Sequence, residues 1–169
     1  LVTRAREQAS ELSSLLKELG AEIIEFPTIE VRPLSNYNKV DKTISNLSKY
    51  SYAFFTSANG VRFFRERLNI SGLDSRQLAN VKICAIGPRT AEELEKIGIK
   101  PDLVPSEYQA EGIINKLGRK NLKGKRALIL RAREARTTLP DGLRKLGAKV
   151  DVIPVYRTVK PKAGSKILQ

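Results

Sequence analysis

The residues best placed to do chemistry are Thr56-Ser-Ala-Asn-Gly60. They follow Tyr52 to Phe55, an aromatic, apolar run bounded by polar residues, which reads as a short strand buried on both faces. They precede Val61, Phe63, Phe64 and Leu68, which recur with roughly helical spacing. A strand that ends in small polar residues and opens directly into a helix leaves backbone N–H groups at the helix N-terminus, a ready anion site. The chemistry implied is capture of a carboxylate or phosphate; the alternative is an ordinary helix N-cap by Ser57 or Asn59. A second strand-turn-helix junction, Gly87-Pro-Arg-Thr90, has the same form. Pro88 suits its first helical turn, and Arg89 either clamps a carboxylate through two parallel bonds or faces solvent.

The remaining inventory narrows the chemistry. With no histidine and one cysteine, Cys84, the chain offers no set of ligands for zinc, iron or copper and no Ser-His or Cys-His nucleophile pair. Cys84 lies inside an apolar run and reads as core. The net charge of +13 points to an anionic partner: nucleic acid, an anionic membrane surface, or a small substrate with many carboxylates or phosphates. A solvated Lys/Glu-rich surface is the competing explanation for most of these charges. The aromatics sit in apolar patterns and not between basic residues, which weakens the nucleic-acid reading. No apolar run approaches the roughly 20 residues that cross a bilayer, and a cytoplasmic location is expected.

These junctions need a scaffold, and the hydrophobic periodicity supplies one. Leu1 to Thr3 opens in a strand; Arg4 to Leu19 reads as a helix with the apolar stripe Ala9, Leu12, Leu15, Leu16 and Leu19, capped by Gly20. Ala21 to Phe26 reads as a strand, Thr28 to Leu34 as an extended piece, and Asn36 to Tyr50 as a helix. Further strands are expected at Val81–Ile86, Pro101–Val104, Arg126–Leu130 and Ala148–Ile153, with helices at Arg89–Ile97, Ala110–Leu117 and Glu134–Leu146. Strands alternating with helices over the whole length predict an α/β fold with a parallel sheet.

The chain also repeats itself. A shift of 127 residues lays Arg4-Ala-Arg-Glu7 on Arg131-Ala-Arg-Glu134 without a gap, Leu12, Leu16 and Leu19 on Leu139, Leu143 and Leu146, Gly20 on Gly147 and Pro27 on Pro154. Two βαβ units could share leucines and a helix-ending glycine by chance, but hardly the tetrapeptide and proline in one frame. Arg4 and Arg131 thereby end equivalent strands. Arg6 and Arg133 beside them pair with Glu7 and Glu134 or face solvent. Because Leu1 to Thr3 opens inside a strand and the chain holds no methionine, the natural protein is expected to start upstream, and the repeat leads to the expectation that it continues for roughly 80 residues past Gln169.

Leu-Val-Thr-Arg at the start, Phe-Thr-Ser-Ala-Asn-Gly-Val at 55–61, Ile-Gly-Pro-Arg-Thr-Ala at 86–91, Leu-Val-Pro-Ser-Glu-Tyr at 103–108 and Pro-Val-Tyr-Arg-Thr at 154–158, taken in order, resemble the uroporphyrinogen-III synthase family of tetrapyrrole biosynthesis. The resemblance implies two flavodoxin-like parallel-sheet domains joined by a two-stranded linker, one of them incomplete in this chain. Residues 1–34 would begin domain 1, residues 36–155 would form domain 2, and 29–35 and 156–162 would be the paired linkers. The implied reaction cyclises hydroxymethylbilane with loss of water and inversion of the terminal pyrrole ring, by a carbon-oxygen lyase that uses no cofactor and no metal. The implied partner is that polycarboxylate, with hydroxymethylbilane synthase as upstream donor; neither nucleic acid nor membrane is expected, and the protein would be a monomer.

The resemblance also implies roles, carried residue by residue. Thr56, Ser57, Ala58, Asn59 and Gly60 would hold substrate carboxylates, and Thr90 would line the cleft with Arg89. Tyr108 follows the family motif Ser106-Glu107, although helix capping explains Ser106 equally well. Arg4 and Arg131 would be cleft-facing cations. Tyr156 matches the tyrosine that assists departure of the hydroxyl: a phenol holds its proton at neutral pH and can donate it. A linker tyrosine packed on its own ladder is the plainer alternative. Two other classes remain: a basic α/β module binding nucleic acid or another anion without catalysis, and a receiver-like domain, for which neither a phosphate loop nor an acidic magnesium cluster is present.

Overall fold

The computed structural model describes residues 1–118 and 122–161. They fall into two compact units, one of Pro33–Tyr156 and one of Leu1–Arg32 with the chain from Arg157 on.

The larger unit is built on four parallel strands. β2 (Tyr52–Phe55) pairs with β3 (Lys82–Ala85) on one side and β4 (Arg126–Ala132) on the other, and β4 pairs with the first part of β5 (Lys149–Val159). Chain order β2, β3, β4, β5 becomes spatial order β3-β2-β4-β5, so the connection reverses direction between β2 and β4. In flavodoxin-like sheets ligands bind outside the carboxyl ends of the strands at such a switch point.

Both faces of the sheet are covered, as the unbroken apolar strands require. Tyr52 and Phe54 of β2, Cys84, and Ala127 and Ile129 of β4 pack with Ile113 and Leu117 of α5 (Ala110–Leu117) and with Leu139 and Leu143 of α6 (Thr138–Lys145). Phe55 turns the opposite way and meets Phe64 of α3 (Ala58–Ile70) edge to face at 5.5 Å. α3 packs against α4 (Pro88–Glu95), and Arg67 of α3 holds Asp41 of α2 (Asn38–Ile44) with 2.7–3.0 Å bonds.

Several boundaries differ from the sequence reading for local reasons. The helix expected over Asn36–Tyr50 stops at Ile44 and resumes as a 3-10 turn at Leu47–Lys49, and Pro101–Val104 contributes only the bridge Cys84 to Leu103. The helix expected from Glu134 starts at Thr138, after a loop whose Ala132, Ala135 and Arg136 carbonyls accept from the Arg131 guanidinium.

In the smaller unit, α1 (Arg6–Glu18) is followed by Gly20 at φ 81°, the left-handed position that glycine takes without strain, as does Gly147 at φ 91° one repeat later. The strand expected over Ala21–Phe26 reduces to one parallel bridge, Val2 to Glu25, with Val2 N–H donating to Ile24 O and Phe26 N–H to Val2 O, both at 2.8 Å. The expected stripe on α1 is only partly covered: Ala9 is buried, while Leu12, Leu15 and Leu19 are exposed. β1 (Glu30–Arg32) pairs antiparallel with Arg157–Val159 at the end of β5. Lys162, the last residue of the expected second linker, lies outside the described residues, and so do the side chains of Arg6 and Glu7.

Candidate functional site

The carboxyl ends of β2, β3, β4 and β5 place the candidate residues of the larger unit along one edge. At the end of β2, Thr56 donates to Leu130 O of β4 through its backbone N–H and through Oγ1, each at 3.3 Å, so the turn is tied across the switch point. Ser57 is extended, and its Oγ accepts from Gly60 N–H at 3.0 Å, making it the N-cap of α3. Ala58, Asn59 and Gly60, expected in the turn, already belong to the first helical turn. A Cβ at Gly60 would stand 3.3 Å from Ser57 Oγ and 3.5 Å from Leu130 O, so glycine lets the helix start press against β4.

Val61 N–H donates to Ser57 O at 3.3 Å. With Gly60 and Val61 satisfied by Ser57, the Ala58 and Asn59 amides have no hydrogen-bond acceptor among the described residues and are the donors a bound anion would take. The capping and anion-binding readings of this stretch are therefore compatible.

Tyr156, near the end of β5, is buried, and its hydroxyl lies 3.0 Å from Ser57 Oγ. Its ring stacks on Phe63 of α3 with centroids 5.5 Å apart and planes 12° from parallel. Arg133 N–H donates to Tyr156 O at 3.0 Å, so the loop after β4 also grips the tyrosine backbone. The structure thus joins two residues 99 positions apart in the chain, Ser57 and Tyr156.

The second junction sits one strand away. Gly87 is the N-cap of α4; Thr90 is buried, and its N–H donates to Gly87 O at 3.1 Å. Tyr108 is exposed, yet its Cβ would be 3.2 Å from a Cβ at Gly87, so the tyrosine lies across this turn and needs glycine beneath it. Arg89 is exposed at the start of α4.

Arg131 departs from expectation. It is buried, and its guanidinium donates through Nε to Ala132 O at 3.2 Å, through one terminal nitrogen to Arg136 O at 2.6 Å and through the other to Ala135 O. Burial pulls its pKa below the ordinary guanidinium value, though an arginine stays charged. This arrangement folds the loop after β4 and turns the charge inward, away from the substrate-facing role expected of it. Arg4, its repeat mate, is exposed in the smaller unit.

Sequence reasoning did not single out Phe63 as a tyrosine platform, or Arg157, whose buried Nε has no hydrogen-bond partner among the described residues. Phe63 carried a signal: it sits on α3 beside the core-facing Phe64 and so points off the core stripe. Among the described residues no group of three or more His, Cys, Asp and Glu side chains could hold a metal ion, and no helix is long and apolar enough to cross a membrane.

The family model described as uroporphyrinogen-III synthase HemD matches residues 10–169. A porphyrin biosynthesis protein HemD of Ruminiclostridium josui is 36% identical over 162 residues, covering 94% of this chain and 31% of that protein. A uroporphyrinogen-III synthase of Chlorobaculum parvum is 30% identical over 162 residues, covering 95% of this chain and 64% of the relative. In fold, a crystal structure of the Thermus thermophilus uroporphyrinogen III synthase superposes with a TM-score of 0.70 at 21% identity, covering 92% of this chain and 60% of that one. The chain therefore spans less than two thirds of the length of these relatives. With a family match running from residue 10 to residue 169, the chain belongs to the uroporphyrinogen-III synthase family.

Proposed function

We propose that the protein is a uroporphyrinogen-III synthase, a carbon-oxygen lyase that cyclises hydroxymethylbilane with loss of water and inversion of the terminal ring. The observation that carries this reading is the Tyr156 hydroxyl, set 3.0 Å from Ser57 at the N-terminus of α3, in a chain of this family. A phenol at a strand end can protonate a leaving hydroxyl, and a helix N-terminus beside it can hold a substrate carboxylate. Departure of hydroxide from a pyrrole-stabilised carbon needs little more than a proton donor and a correctly folded substrate, so positioning supplies most of the rate.

In this reading the Ala58 and Asn59 amides bind one carboxylate while Thr56, both of its donors given to Leu130 O, holds the turn in place, and Thr90, Arg89 and Tyr108 at the neighbouring turn bind another. Arg4 supplies further positive charge, and Arg131 shapes the loop beside Tyr156. The net charge of +13 suits a polycarboxylate delivered by hydroxymethylbilane synthase. The test is to give hydroxymethylbilane to the protein in its natural length and separate the isomers. The spontaneous product is type I; a type III excess is expected, and its absence would leave a binding module. Tyr156→Phe is expected to lower kcat by about 10²-fold. An unchanged rate and isomer ratio would remove Tyr156 from the mechanism.

A further inference from the structure

We infer that Ser57 is a positioning residue for Tyr156, one that directs the phenol's proton outward by donating its own hydroxyl hydrogen to the Tyr156 oxygen. The inference rests on the reading of the protein as a uroporphyrinogen-III synthase. Ser57 Oγ has one hydrogen and two lone pairs. One lone pair is taken by Gly60 N–H at 3.0 Å, which fixes Oγ at the mouth of α3. The Tyr156 hydroxyl lies 3.0 Å away, and either oxygen can donate.

The two polarities differ in what they allow. If Tyr156 donates to Ser57, its proton is held in that bond and is turned away from a leaving hydroxyl. If Ser57 donates, the Tyr156 O–H is left to reach substrate. The C–O bond of the hydroxymethyl group then breaks with its electron pair going to oxygen. Tyr156 supplies the proton that completes water, and the pyrrole nitrogen lone pair forms the new exocyclic double bond. The phenolate left behind keeps the Ser57 hydrogen bond, now charge-assisted, beside the positive end of α3. It regains a proton when a pyrrole carbon loses one at ring closure. Phe63, stacked at 5.5 Å, holds the ring so that its oxygen stays against Ser57.

The test is a double-mutant cycle in the natural-length protein, using Ser57→Ala and Tyr156→Phe, with Ser57→Thr as the conservative variant. Ser57→Ala is expected to lower kcat by about 10- to 100-fold with KM little changed, and Ser57→Thr to restore most of the loss. In the Tyr156→Phe background, Ser57→Ala should lower kcat no further. If it lowers kcat equally in both backgrounds, or if Ser57→Thr fails to rescue while its thermal melt matches wild type, Ser57 acts only as a helix cap and the inference is overturned. If Ser57→Ala does not fold, Ser57→Thr and the coupling measured through Ser57→Gly, a residue tolerated at N-caps, decide the same question. A wild-type protein giving no type III excess would defeat the functional reading itself, a result distinct from any of these.

Discussion

Replacing Arg131 separates a substrate-binding arginine from one that builds a loop. Its guanidinium donates to the carbonyls of Ala132, Ala135 and Arg136, and a hydrogen bond from a charged donor contributes about 1.5–3 kcal/mol. Ala132 and Ala135 are half-buried and Arg136 is exposed, so their carbonyls could partly turn to water once released. Removing the charge also removes its desolvation cost. The net loss expected for Arg131→Met is therefore about 2–3 kcal/mol, well below the sum of three bonds. Arg131→Lys, which cannot span three acceptors with one ammonium, should lose about 1–2 kcal/mol. For a unit of this size that is a fall in Tm of roughly 6–15 °C and 3–10 °C respectively, read by thermal denaturation. The loop also grips Tyr156 through Arg133 N–H, so kcat should fall with stability while KM for hydroxymethylbilane moves less. Both variants melting within about 1 °C of wild type, with KM raised tenfold or more, would refute this reasoning and return Arg131 to the substrate.

Two further perturbations test the scaffold. The Tyr50 hydroxyl donates to Asp151 at 2.8 Å, and burial first, then this bond and the Asp151 charge, push its pKa up to about 12. Folded Tyr50 keeps its proton where the unfolded chain loses it, so its stabilising effect is intact below pH about 10 and is lost as pH rises toward about 12. Screened by solvent, the loss should be about 1–2 kcal/mol; urea titrations should show that alkaline decline in wild type and a shallower one in Tyr50→Phe. At Gly112 an added Cβ would overlap the Glu107 carbonyl oxygen and stand 3.0 Å from Pro105 Cβ. Gly112→Ala should therefore cost about 1–2 kcal/mol despite the better helix propensity of alanine, and should weaken substrate binding by shifting Tyr108; a stabilised variant would show that the 105–107 loop yields freely.

The parallel sheet of the larger unit was legible because its signals are local and strong. Tyr52–Phe55 is apolar on both faces, Pro88 stands at a helix start, and Ala110–Leu117 has helical bounds that the structure reproduces. The switch point between β2 and β4 was not legible, since strand order depends on pairings across the chain. The bond between Ser57 and Tyr156 was hidden for the same reason: each residue was singled out from its own motif, but nothing in either motif says that the two oxygens meet. Phe63, next to Phe64 and so off the core stripe, was legible as pointing away from the core, but nothing local says that the ring it meets is Tyr156.

The two arginines matched by the repeat show where such inference stops. Gly20 and Gly147 both take the left-handed conformation, and α1 and α6 end one repeat apart, at Glu18 and Lys145. At the helix starts the copies diverge: α1 begins at Arg6, α6 at Thr138. The difference lies in the residues just after the shared tetrapeptide. Gln8-Ala-Ser10 continues into a helix, whereas Ala135-Arg-Thr-Thr138 leaves carbonyls for Arg131 to collect. Thr137 and Thr138 are β-branched, a poor helix interior, so a start delayed to Thr138 costs little and frees the loop to close on the arginine. Identical residues at matched positions thus have different surroundings, Arg4 exposed and Arg131 enclosed, because the sequence a few residues downstream decides whether the backbone is helix or loop. A repeat transmits topology and turn chemistry, while the use of each side chain is settled by the loop that forms around it.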